Sequence, residues 1–149
     1  MNELGEKMFL LDSCTSIPIE VWHYPKQNKE TNYLELCEYD LELYPNDAIM
    51  RLQLAIECEI RNDFEKARKH YRHLLEFDLN KIQWFESARC YTGLGYTYYK
   101  EGDIDRALYY FREGRIMFPQ FSDNYLLPIE IFFDNKNYKK VIEIGELAL

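Results

Sequence analysis

The stretch "YTGLGYTYYKEGDIDRALYYFREG", Tyr91 to Gly114, decides the fold. Two glycines, Gly93 and Gly95, stand inside a segment that otherwise reads as helix. A glycine in a helix interior costs about 1 kcal/mol relative to alanine, so close packing is the first reason to look for. The segment breaks at "EGD" (101–103), and helical spacing then resumes with Ile104, Leu108, Phe111 and Ile116 near one stripe. The local reading is helix, tight turn, helix. Working outward, the same cadence recurs. The breaks are "YPND" (44–47), "RND" (61–63), "FDLN" (77–80), "FPQFSD" (118–123) and "DNKN" (134–137). Each supplies the Pro, Gly, Asn or Asp that ends a helix or starts a turn. Strand-like alternation is almost absent after residue 31, so that region is predicted to be all helix.

Three of the helix starts also resemble one another. "NDFEKA" (62–67), "GDIDRA" (102–107) and "KNYKKV" (136–141) each place an Asp or Asn first: Asp63, Asp103 and Asn137. Such a side chain accepts from the free N–H groups of a first helical turn. A large apolar residue follows (Phe64, Ile104, Tyr138), then two charged residues, then a small or branched one (Ala67, Ala107, Val141). The last position recurs after 141 − 107 = 34 and 107 − 67 = 40 residues. A period of 34 belongs to helix–turn–helix repeats, and the longer interval holds six extra residues.

Composition sets the outer limits. At 149 residues the chain can bury one core, and 47% hydrophobic with 30% charged residues is the balance of a globular domain. A net charge of −8 argues against a general nucleic-acid role, which needs clustered Lys and Arg. The best local basic patch is "KARKHYRH" (66–73), whose simpler reading is a solvated helix face. Cys14, Cys37, Cys58 and Cys90 contain no Cys-x-x-Cys pair. "MFLL" is too short for a secretory signal, and no run approaches the ~20 apolar residues of a membrane span. The expectation is a cytoplasmic protein with free thiols and no membrane association.

From Tyr91 the pattern reads Tyr91-x-x-Leu94-Gly95-x-x-Tyr98, then Ala107-x-x-x-Phe111, then Pro119. This strongly resembles the tetratricopeptide repeat (TPR), with Tyr91 in place of the usual Trp. The resemblance implies an all-α fold of antiparallel helix–turn–helix repeats stacked into a short right-handed superhelix. It covers 32–149, with repeats at about 48–81 and 88–121, a truncated copy at 122–149 and room for a half-repeat at 32–45. It implies that Gly95 and Ala107 face each other across the two helices of one repeat, and it leaves Gly93 unexplained. In the copy at 48–81, Leu54, Ala55, Ala67 and Tyr71 fit, while Cys58 replaces the aromatic and Leu79 the proline. The last copy carries Pro128 inside its first helix, which predicts a kink or a late start. The six extra residues, within "IQWFES", are expected to lengthen the first helix of the best repeat. Residues 1–31 match no repeat. "SIPIEVWHYP" reads as extended, expected to cover the first helices with Trp22 as a buried anchor; the alternative is a flexible tail.

Nothing here reads as an enzyme. His70 and His73 sit a turn apart on one helix, but no further metal ligands can be assigned, so the reading is two surface histidines. The pairs Glu57/Glu59 and Asp103/Asp105 are two apart and do not share a helix face. Phosphate loops, nucleophile elbows and His-Glu-x-x-His are absent, and no cofactor, metal or catalytic residue is expected.

The resemblance implies a concave groove lined by the first helix of each repeat. Its positions fall on Ile49, Leu52, Gln53, Ile56 and Glu59; then on Arg89, Thr92, Tyr96, Tyr99 and Lys100; then on Asp123, Leu126, Leu127, Glu130 and Phe133. Tyr96 and Tyr99 could equally pack against a neighbouring helix. The clamp that holds acidic chaperone tails in this family is missing, since Leu52, Ile56 and Gly93 stand where Lys or Asn is wanted. The expected function is a non-enzymatic adaptor that binds a protein or peptide in the groove. The alternative is a regulatory, peptide-sensing domain of a longer protein or complex. The final helix, "VIEIGELAL", is expected to leave Ile144, Ala148 and Leu149 uncovered, so that the chain either continues or forms a homodimer through that helix.

Overall fold

A computed structural model describes residues 6–10, 19–23 and 33–148. The chain divides into two units, 1–31 and 32–149. In the first, strands β1 (Glu6–Leu10) and β2 (Ile19–His23) pair antiparallel, with Met8 opposite Val21 and Lys7 opposite Trp22. β2 lies in the stretch expected to be extended. β1 carries no such expectation, because its apolar residues run together instead of alternating. The burial of the Trp22 side chain and the docking of residues 1–31 lie outside the described residues.

The second unit is all-α. It holds α1 (Tyr33–Leu43), α2 (Ala48–Ile60), α3 (Phe64–Phe77), α4 (Trp84–Lys100), α5 (Ile104–Met117), α6 (Asp123–Asp134) and α7 (Tyr138–Leu147), with a 3-10 turn at Leu79–Lys81. Each helix packs on the next, and α4 also touches α2 and α6. The 17-residue α4 exceeds the 13-residue α2 because Trp84 to Ser87 add a turn at its start. Ile82 stays extended, and Gln83 caps the helix, its N–H donating to Glu86 Oε2 at 2.6 Å.

Three turns share one geometry. After α2, α4 and α6, one residue takes a left-handed conformation: Asn62 (φ 63°), Gly102 (φ 82°) and Lys136 (φ 57°). Its N–H reaches back three residues, to Glu59, Tyr99 or Phe133. The next N–H reaches back five, to Cys58, Tyr98 or Phe132. These are the paired bonds of a Schellman motif, which satisfy the last carbonyls of a helix. The residue that follows at once caps the next helix: Asp63, Asp103 and Asn137 accept from the N–H of Lys66, Arg106 and Lys140. No loop intervenes, so the two helices must fold back on each other.

The glycines lie where those helices meet. A β-carbon on Gly95 would lie 2.5 Å from the ring of Phe111. Ala107 is fully buried, and the side-chain atoms nearest to that position are those of the Phe111 ring. Gly93 has its own reason: a β-carbon there would lie 2.5 Å from Tyr71 of α3. Both rings are wholly buried. The apolar core forms two clusters, one around Leu54, Tyr71, Leu74 and Leu94, the other around Tyr98, Phe111 and Ile131, and Tyr110 packs against both.

Pro128 neither delays α6 nor interrupts it. Its missing N–H would have bonded the Asn124 carbonyl, four residues back. Arg115 of α5 replaces it, donating through Nη1 to Asn124 O at 2.7 Å. The fully buried Asn124 side chain meanwhile accepts from Thr92 Oγ1 at 2.8 Å, lying against Gly114 where a β-carbon would clash.

Two further expectations are corrected. Ile144 is buried against the rest of the unit because it lies on the inner side of α7, and the exposed apolar residues of that helix are Tyr138, Ile142 and Leu147. Ala148 is exposed, and Leu149 lies outside the described residues. His70 is buried rather than superficial, since α3 turns it inward, whereas His73 is half-exposed and stands 3.4 Å from Asp78. Burial, followed by the charges of Arg51, Lys66, Lys69 and His73, pushes the His70 imidazole down to about 4.

The glycine contacts give a graded prediction. Gly93→Ala and Gly95→Ala should each lower stability by about 1–2 kcal/mol net, overpacking outweighing the gain in helix propensity. Gly145→Ala, with nothing within 4 Å of its β-carbon, should raise stability by about 0.5–1 kcal/mol. Urea unfolding separates the three, and equal effects would refute close approach as the cause. His70 predicts a pH dependence. Its folded pKa lies below the unfolded value, so between pH 6.5 and about 4 the unfolded chain binds the extra proton. Stability is therefore full above that window and falls through it, by roughly 2–3 kcal/mol. His70→Gln should flatten the profile of melting temperature against pH there.

Candidate functional site

α2, α4 and α6 lie side by side and present exposed and half-buried side chains at helical spacing. On α2 the stripe is Ile49, Gln53, Ile56 and Ile60; on α4 it is Phe85, Arg89, Tyr96 and Lys100; on α6 it is Leu126, Glu130 and Phe133. Ile49, Ile60, Phe85, Leu126 and Phe133 are each 45–66% exposed. Phe133 meets Tyr138 of α7 edge to face at 5.8 Å, and the Lys100 ammonium lies 5.2 Å from the Tyr96 ring centre.

The structure sorts the expected groove residues. Lys100, Glu130 and Phe133 reach the surface, Gln53 and Tyr96 half so. Ile56 is half-buried against the first core cluster and Tyr99 against the second, so Tyr99 takes the packing reading. Thr92 is a correction: it is buried, its hydroxyl 2.8 Å from Asn124 Oδ1 and 3.2 Å from the Ala88 carbonyl, because α6 lies directly over it. Leu52 is likewise in the core, and Leu127 packs on the second cluster. Ile60 and Phe85 were missed. Both were open to discovery, since Ile60 lies four residues past Ile56 and Phe85 four before Arg89.

Arg89 and Glu59 pair with each other. Arg89 Nη2 donates to Glu59 Oε1 at 2.7 Å, and Tyr71 Oη donates to Glu59 Oε2 at 2.8 Å. Glu59 is buried and Tyr71 wholly so, and burial pushes the Tyr71 phenol far above its usual range. The carboxylate thus ties α2 to both α3 and α4 at one point. It removes from the face the strongest charge that the sequence had placed there.

Cavities of about 720, 740 and 510 Å³ lie elsewhere, along α3, between α5 and α7, and between α1 and α3. Among the described residues no group of three His, Cys, Asp or Glu side chains could hold a metal ion. Cys37, Cys58 and Cys90 are free and buried, and burial raises the Cys58 and Cys90 thiols to about 11 and 12. No described helix is long and apolar enough to cross a membrane. The sequence matches no protein-family model and no curated protein.

The Glu59–Arg89 pair should behave as structure. Arg89→Ala leaves a buried carboxylate with a phenol alone, and should cost about 1–3 kcal/mol. Glu59→Gln should cost less, because Tyr71 keeps an acceptor. A double-mutant cycle by urea unfolding measures the coupling, and additive losses would show that the two residues act separately.

Proposed function

We propose that the chain is a non-enzymatic TPR module that binds a protein or peptide segment against α2, α4 and α6. The thrice-repeated Schellman turn with its immediate cap, and the glycine-to-ring approach on both sides of α4, support the repeat reading. In it the helix pairs stack as a short right-handed superhelix, and the first helix of each pair lines the concave side. The observation that carries the binding reading is the set Ile49, Ile60, Phe85, Leu126 and Phe133, each left largely uncovered on one set of neighbouring helices. Burying five such side chains would contribute several kcal/mol, at about 25 cal/mol per Å² of apolar surface. With Arg89 held by Glu59, apolar contact and shape outweigh charge in this recognition. Tyr96 and Lys100 then supply the polar edge.

A peptide-display selection on the purified protein tests the reading. Selected peptides should carry apolar or aromatic anchors at regular spacing. Ile60→Glu combined with Phe133→Ser should weaken their binding by about tenfold or more, a loss of at least 1.4 kcal/mol. Both positions are exposed, so circular dichroism and the melting curve should stay those of the parent. Selection of no peptide, or undiminished binding by the folded variant, removes this face as the site.

A further inference from the structure

α5 and α7 both pack on α6, and between them lies a cleft of about 740 Å³. Its walls are mostly apolar. Leu108 and Ile116 come from α5, Phe132 and the buried Tyr125 from α6, and Ile144 and Leu147 from α7. Apolar walls with few polar groups inside are the make-up of a small-molecule site. The charges of the cleft are sorted by depth. Arg112, Lys140, Glu143 and Glu146 are exposed at its rim. Lys140 Nζ lies 3.1 Å from Glu143 Oε2, and Arg112 Nη2 lies 3.3 Å from Glu113 Oε1. Arg115 is half-buried, with its Cζ 5.7 Å from the Tyr125 ring centre. Its Nη1 donates to the Asn124 carbonyl at 2.7 Å, a neutral acceptor. Among the described residues no carboxylate pairs with it, and its other nitrogens meet no acceptor. Burial lowers its pKa from the ordinary value. Tyr125 opposes that shift, Arg112 adds to it, and no carboxylate contributes.

We propose that this cleft binds an aliphatic carboxylate of the medium-chain fatty-acid class, its head group on Arg115 and its chain along Leu108, Ile116, Ile144 and Leu147. Two observations carry this together. The walls favour an apolar chain, since covering them removes apolar area from water. The cation among those walls has lost part of its hydration without gaining a counter-charge, which is the costly state for a buried ion. A carboxylate supplies that counter-charge. Nε and Nη2 form one edge of the guanidinium and can meet both carboxylate oxygens, while Nη1 stays on Asn124. The rim does not supply it instead, because Glu143 already meets Lys140 and Glu146 is exposed. An alcohol or an amine of the same length would cover the same walls and leave Arg115 unmatched. A nucleic acid is a poor fit, since one half-buried guanidinium in an apolar cleft cannot follow a phosphate chain.

The test is isothermal titration calorimetry of the whole chain with decanoate, below the concentration at which it forms micelles. Decanoate should bind saturably at one site per chain. Affinity should rise from hexanoate to decanoate by up to about fourfold per added methylene. Decanol and decylamine should bind at least about tenfold more weakly than decanoate, lacking the charge-assisted bonds. Arg115→Gln should weaken decanoate by a similar factor, but it also disturbs the bond to Asn124. Ile116→Glu is the second variant: the position is exposed, the fold should stay that of the parent by circular dichroism, and the new carboxylate should lower affinity about tenfold. Ile60→Glu with Phe133→Ser should bind decanoate like the parent, which separates this cleft from the α2–α4–α6 face. Four results overturn the proposal. They are no saturable binding, equal binding of decanol, undiminished binding by folded Ile116→Glu, and displacement of decanoate by an apolar peptide with a free C-terminus at lower concentration than by decanoate itself.

Discussion

Two missing β-carbons set the spacing on which the helical unit depends. α4 is the helix that touches α2, α3, α5 and α6, and it lies between two wholly buried rings. Gly93 admits Tyr71 from the helix before it, and Gly95 admits Phe111 from the helix after it. The energetic balance favours this. Each glycine costs about 1 kcal/mol of helix propensity, and a fully buried large side chain contributes roughly 1.5–3 kcal/mol. The two glycines are two residues apart, so they face different sides of one helix. A single helix can therefore approach both neighbours closely, and the stack continues in both directions from it.

Where α6 joins, polar atoms perform the same service. Proline removes one helical hydrogen bond from α6, and the carbonyl so released is the one Arg115 reaches from α5. The same residue, Asn124, sends its side chain to Thr92 on α4, against the space that Gly114 leaves open on α5. Three helices thus meet at one asparagine. Leaving a buried carbonyl unpaired would cost about 1–3 kcal/mol, so Pro128 and Arg115 act as a complementary pair. Breaks in regular structure are tolerated here because a neighbouring helix supplies the missing partner.

That pairing also marks what could be read from the sequence. The helices, their caps and their tight turns were legible, because Asp63, Asp103 and Asn137 act on N–H groups within their own first turns. Gly95 was legible as a packing residue, though not the part that the Phe111 ring plays against it. Gly93 had no reading, since its reason, Tyr71, is 22 residues earlier in the chain (93 − 71). Pro128 was read as a defect because its compensation comes from another helix. Thr92 was placed in the groove by the resemblance and Ile144 on an uncovered side of the last helix, and neither placement says which helix will lie across a face. Spacing fixes a side chain's direction; burial depends on what the rest of the chain brings there.

The same distinction governs the candidate site. Arg89 looked like the natural anchor for a partner, being large, cationic and at a groove position. Glu59 already occupies it, and Tyr71 holds the other carboxylate oxygen. Glu59 already meets the charge of Arg89, so a partner's carboxylate would gain less there than at a free guanidinium. The α2–α4–α6 face is thereby left to apolar contact. The charges of Arg89 and Glu59 join helices, while Lys100 and Glu130 stay exposed. A partner bound there would gain by removing apolar area from water, with little dependence on salt.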